Sequence, residues 1–221
     1  MRMKMAGLLL ALAVLLAASA IPAAAQQGAP PPGGRPAGGP PPMGPQLQLS
    51  STAFADGTPV PDKYTCAAGM NNMTSPAVSW VNAPKTAASF VLLVHDPEAH
   101  PMKSINDVTH WIIYNIPGDS TGLPEGVKAD APATVGTQGK NIAGQPSYFG
   151  PCAPPGPYHH YTWELFALDS KLDLPAGATR GDVVKAMDGH ILGSAVYIGL
   201  FHRQAGGMMP PPPTPTPTPT R

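Results

Sequence analysis

Charge is scarce in this chain. Only 12% of its 221 residues are charged, and 13 basic side chains balance 13 acidic ones. No basic run occurs, and no basic stretch is interleaved with aromatics, so nucleic acid is excluded as a natural partner. Long hydrophobic runs are missing beyond the first 25 residues, so no transmembrane segment is expected in a mature chain. No Ser lies beside a His in the sequence, which argues against serine-nucleophile chemistry. Cysteine occurs only twice, at Cys66 and Cys152.

What the chain has instead is 31 prolines and 24 glycines, gathered mainly at its ends and in loops. Residues 1–25 read as a signal peptide: Arg2 and Lys4 form the positive end, Gly7 to Ala18 the apolar stretch, and Ala23-Ala24-Ala25 the cleavage site. The stretch is too short for an ordinary membrane span, and no Cys follows it for lipid attachment. The expected location is periplasmic or secreted. Without Arg2 and Lys4, 11 basic side chains face 13 acidic ones, a formal −2. Residues 26–46 form a Pro/Gly-rich spacer, and 206–221 a Pro/Thr-rich tail, neither with much to bury. Between them, 47–205 is enough for one core.

In an oxidising compartment Cys66 and Cys152 favour a disulfide. Closing a loop of about 85 residues adds about 4–5 kcal/mol in the chain-entropy model, less any strain. The alternative is a free, half-buried thiol; neither cysteine has a dedicated base that would make it a nucleophile.

Short, punctuated apolar runs predict strands at 47–52, 77–82, 89–94, 108–116, 161–168 and 194–201. Tyr161, Trp163, Leu165 and Ala167 alternate onto one face. Asp56-Gly57, Asn71-Asn72, Pro117-Gly118-Asp119 and Pro175-Ala176-Gly177 supply turns. One helix follows Thr179 as N-cap, with Asp182 three residues on, Val183, Val184, Met187 and Ile191 on one side, and Gly189 as the stop. The expected fold is mainly β, an antiparallel sandwich with one or two short peripheral helices; a β-barrel is the alternative.

Polar residues collect where the apolar runs end. Asp96-Pro97-Glu98 follows one run, His110 lies beside Trp111 in the next, and Tyr148 to Tyr161 form a loop stiffened by four prolines. That loop carries Gly150 and Cys152 and delivers His159, His160 and Tyr161 to a strand. A His inside an apolar strand is more often a satisfied core residue than a ligand. Here imidazoles, a carboxylate and a phenol arrive from three strand ends, a set able to hold a small anion.

The ordered stretches Ser75-Pro76-Ala77-Val78-Ser79-Trp80, Asp96-Pro97-Glu98-Ala99, His110-Trp111-Ile112-Ile113-Tyr114, Gly150-Pro151-Cys152-Ala153-Pro154-Pro155-Gly156 and His159-His160-Tyr161 resemble the phosphatidylethanolamine-binding protein family. The match is to its bacterial and archaeal branch, the Raf-kinase-inhibitor-like proteins. The resemblance implies the antiparallel sandwich and a pocket for phosphate-like groups, including the phosphoethanolamine headgroup. Carried over by motif, its ligand-binding wall is Asp96, Pro97, His110, Gly150, Cys152, His159 and Tyr161. Two positions depart from the family: His100 stands where Pro is usual, and His160 where Arg is usual. The second removes a permanent charge able to make a bidentate bond.

The favoured function is a non-catalytic binder of a small anion or phospholipid headgroup, with no cofactor and no metal. A protein-interaction or protease-inhibitor module, with a protease as partner and Gly150 to Pro157 as its surface, is the alternative. A metal-dependent hydrolase using His95, Asp96, Glu98, His100 and His110 is weaker, because adjacent strand residues face opposite ways. Glu125 and Asp173 read as solvated loop charges, and His190 and His202 have no motif partners.

Overall fold

The computed structural model describes residues 45–206. The predicted signal peptide (1–25), nearly all of the spacer (26–46) and the tail beyond residue 206 lie outside the described residues. Two sheets face each other. The smaller holds β1 (Gln48–Ser50), β3 (Val78–Val81) and β6 (Gly122–Leu123), in the order β1-β3-β6. The larger holds β2 (Thr58–Pro59), β4 (Ser89–Asp96), β5 (Val108–Pro117), β7 (Thr137–Gln138), β8 (His159–Leu168) and β9 (Ile191–Phe201). Its order is β2-β9-β8-β4-β5-β7. Every pairing is antiparallel except β2 with β9. The arrangement is a sandwich and not a closed barrel.

The main core lies between the sheets: Trp80, Phe90, Leu92, Val94, Trp111, Ile113, Trp163 and Leu165 are all buried there. Alternate residues of the same strands, Val91, Leu93, Ile112 and Tyr114, form a second core on the outer face of the large sheet. Helix α1 (Arg180–Met187) covers that face. Burial on both sides explains why β4 reads as a continuous apolar run.

Thr179 and Asp182 form a complete capping box at the start of α1. The helix buries Val183 and Met187 but leaves Val184 47% exposed. Ile191 does not extend that face: Gly189, at φ +81°, ends the turn, and Ile191 opens β9, half exposed. The strands β2, β6 and β7 are two residues each, too short to carry an alternation in sequence.

Two bulges shape β5. Val94 pairs with Trp111 while His95 pairs with Thr109, so His110 is an extra, unpaired residue. A second shift falls between Leu92–Ile113 and Phe90–Ile116, where Asn115 adopts φ +54°. Asn115 is held there by bonds from its amide to Leu172 O (2.9 Å) and from Leu172 N to its Oδ1 (2.7 Å).

Candidate functional site

Asp96 ends β4 in step with Phe90, Leu92 and Val94, so its side chain belongs to the side of the main core. Tyr161 and His159 share that side on β8, in step with Trp163 and Leu165. By plain alternation His110 would follow Ile112 and Tyr114 toward the helix. The bulge turns it to the opposite side, where its ring meets Tyr161 edge-on at 4.9 Å. The register shift therefore completes the cluster.

The loop after Phe149 closes over it. Gly150 has no room for a side chain: a Cβ would sit 2.4 Å from Tyr64 O. A disulfide joins Cys152 to Cys66, and Cys66 N donates to Pro151 O at 3.0 Å. Held this way, the loop aims two backbone donors inward: Cys152 N and Ala153 N both donate to Tyr161 Oη, at 2.9 and 2.8 Å. Cys152 thus contributes its backbone, while its sulfur is occupied in the bridge.

Hydrogen-bond roles fix the tautomers. His110 Nδ1 donates to the carbonyls of Phe149 (2.9 Å) and Gly150 (3.1 Å), which can only accept. Burial holds His110 below the usual imidazole range, against the opposing pull of those carbonyls and of Asp96. The neutral ring then carries a lone pair at Nε2, which has no hydrogen-bond partner among the described residues. His159 Nδ1 donates to Asp96 Oδ2 at 2.7 Å, and its Nε2 has no hydrogen-bond partner among the described residues. Asp96 is only 2% exposed, and its other oxygen accepts from Glu98 N at 3.0 Å. Burial, then the Asp96 charge, pushes the Tyr161 phenol far above its ordinary value, so it stays protonated.

Around the rim, Glu98 accepts from His160 N (2.7 Å) and pairs with His160 Nδ1 (3.0 Å). Burial pushes the Glu98 carboxyl up, but the His160 bonds outweigh it and hold it below the usual range. His160, standing where the related family carries Arg, makes a structural pair with that acid. Pro97 is exposed in the turn after β4. Arg203, which no motif singled out, donates from Nε to Ala153 O at 3.3 Å and so brings a permanent charge to the loop. Only its place two residues beyond the last predicted strand pointed to it.

Residues of the hydrolase reading separate. His95 points to the helix side, between Asp107 and Glu164, and His100 is exposed in the β4–β5 loop. Asp96, Glu98 and His159 do bring one ligand atom each within 4.8 Å of one another, a spacing a divalent cation accepts. In place of a cation, the three share the internal bonds already described. Glu125 is not a free loop charge: it binds Lys63 Nζ and Tyr64 Oη, both at 2.6 Å.

The sequence itself decides the relationship. Residues 50–202 match the family model for phosphatidylethanolamine-binding protein. The chain belongs to this family. It is 46% identical over 158 residues to a UPF0098 protein of Methanothermobacter thermautotrophicus, covering 71% of this chain and 99% of that protein. Lipoprotein LppC of Mycobacterium tuberculosis is 35% identical over 156 residues, 70% of this chain and 72% of its own. Among solved structures, the family homologue CT736 of Chlamydia trachomatis is 36% identical with a TM-score of 0.63, covering 72% of this chain and 99% of that one. E. coli YbcL shares the fold at a TM-score of 0.65 and 24% identity, covering 72% and 100%. No helix among the described residues is long and apolar enough to cross a membrane.

Proposed function

We propose that this family member is an exported, non-catalytic binding protein whose site takes a small phosphate-like anion, free or as a phospholipid headgroup. The observation that carries the reading is the convergence of Asp96, His110, His159 and Tyr161 under a loop tied down by the disulfide. Export is supported by the leader-like residues 1–25 and by the use of both cysteines in a bridge. A binding role is supported by the hydrogen-bond pattern: the imidazoles are anchored at Nδ1, and among the described residues neither is hydrogen-bonded to a Ser or Thr hydroxyl or a thiol.

The tautomers select the form of the anion. His110 Nε2 accepts, so it seeks a hydrogen on the ligand, as hydrogen phosphate or a phosphomonoester monoanion provides. His159, anchored to Asp96 through Nδ1, has its Nε2 free to meet the ligand. Phosphate and phosphorylethanolamine should therefore bind more tightly at about pH 5.5 than at about pH 8, because more of the ligand then carries the proton that His110 Nε2 accepts. Sulfate, which carries no proton at either pH, should bind about tenfold more weakly. NMR titration of the imidazole resonances measures this; equal affinity for phosphate at both pH values rejects it.

A further inference from the structure

The loop between β4 and β5 presents two large apolar side chains to solvent. Met102 is 96% exposed and Ile105 is 91% exposed. Neither side chain packs on the domain, so the fold does not need them. The loop is nevertheless ordered by its own bonds: Lys103 N donates to His100 O (3.2 Å), Ser104 N to Pro101 O (3.1 Å) and Asn106 N to Ser104 Oγ (3.0 Å). Met102 and Lys103 both take left-handed backbone, at φ +57° and +58°. Neither is glycine, so both residues are held in a strained backbone conformation. A strained, proline-stiffened turn that holds a thioether and a branched alkyl group away from the protein has the form of a contact surface.

Its position and charge narrow the occupant. The loop starts at the site, since Asp96 ends the strand before it, Glu98 is its first acid and His110 lies just past its end. Two further exposed apolar residues adjoin the same region. Ile142 (48% exposed) donates its N–H to Thr109 O, and Tyr158 (44% exposed) directly precedes His159. The loop's acids are engaged internally, Glu98 by His160 and Asp107 by His95 and Arg180. Lys103 has no ion-pair partner among the described residues. The loop thus offers apolar tips and one free cation beside a phosphate-seeking site, the combination that a phospholipid interface satisfies.

We propose that Met102 and Ile105 insert into the interfacial layer of an anionic phospholipid bilayer, with Lys103 at headgroup level, and so seat the site against the membrane surface. The choice of lipid over protein rests on the phosphate reading of the neighbouring site; the exposed, strained loop stands independently of it.

The test compares the full chain with a Met102→Ser/Ile105→Ser variant in co-sedimentation with vesicles of phosphatidylcholine, with and without phosphatidylglycerol. Because both proteins share every other segment, contributions from elsewhere in the chain cancel. The expected result is about a tenfold or greater loss of partitioning to the anionic vesicles in the variant. Phosphate titration by NMR should be unchanged in the same variant. In a Met102→Trp variant, emission should shift to the blue on adding vesicles, over a background of native tryptophans that are already buried. Equal partitioning of the two proteins overturns the proposal, as does a Met102→Trp emission that ignores vesicles. Self-association that disappears in the double variant assigns the loop to a second copy of the chain and also overturns it. Phosphate that fails to bind while the partitioning difference persists removes the site reading and leaves the membrane surface standing.

Discussion

His95 and Asp96 are neighbours on β4 yet belong to two unlike places. On the helix side, His95 Nδ1 lies 2.6 Å from Asp107, and its Nε2 lies 3.2 Å from Glu164, off the direction of a good hydrogen bond. Arg180, from the first turn of α1, closes on Asp107. Burial pushes the His95 pKa down, but the close Glu164 and Asp107 carboxylates outweigh it and leave the ring above its ordinary value. On the sandwich side, burial prevails and His110 falls below it. Both regions combine imidazole with carboxylate, but one is neutralised by a permanent cation and fastens a helix to a sheet. The other keeps an uncharged ring whose Nε2 has no hydrogen-bond partner among the described residues. The sign of the imidazole shift, more than the residue types, separates a fastening from a receptive site.

The largest effect that tests this contrast comes from the sandwich side alone. Replacing Cys66 and Cys152 with Ser should lower stability by up to about 4 kcal/mol. It should also weaken phosphate binding by freeing the loop, both readable by thermal melting with and without phosphate. Next, Arg180→Ala should cost about 1–3 kcal/mol, because it leaves Asp107 with a buried imidazole as its sole counter-charge. Phosphate affinity should stay the same; a fall in affinity would mean that the two regions communicate. Conversely, His159→Gln should reduce affinity about tenfold or more while costing less stability than Arg180→Ala.

A smaller effect concerns pH. The His95 pKa is raised on folding, so its stabilisation is complete below the unfolded value near 6.5 and fades as pH rises through the folded one. Glu164, held below the usual carboxylate range by His95, keeps its charge across that interval. Denaturant unfolding from about pH 6 to about pH 8.5 should show declining stability, and His95→Gln should flatten the decline. The smallest change is expected at the rim. Glu98→Gln removes an exposed pair with His160 and should cost less than about 1 kcal/mol.

The sequence made the sandwich legible where alternation was long and burial one-sided or complete, as in β8 and β4. It did not reveal β2, β6 or β7, which exist only because longer strands offer them an edge. At the helix end, periodicity carried Ile191 onto the wrong element, because a single left-handed glycine outweighs a continued apolar spacing. In the site, motif order gathered Asp96, His110, His159 and Tyr161, which the fold does bring together. The Glu98–His160 pair, the place of Arg203 and the tautomer of His110 were not readable. Each depends on carbonyls and side chains brought in from remote segments. Glu125 looked like an unpaired loop charge for the same reason, since Lys63 and Tyr64 reach it from 62 and 61 positions away.

The unpaired residue in β5 gives evolution a choice that a plain strand would not. Deleting one position there would restore an unbroken ladder and send the imidazole out among the aliphatic side chains beneath α1. Such a descendant would keep the fold and would have lost its chemistry in a single step. Among relatives of similar length, the count of residues between Asp96 and Trp111 is therefore a simple marker of which ones have kept the site.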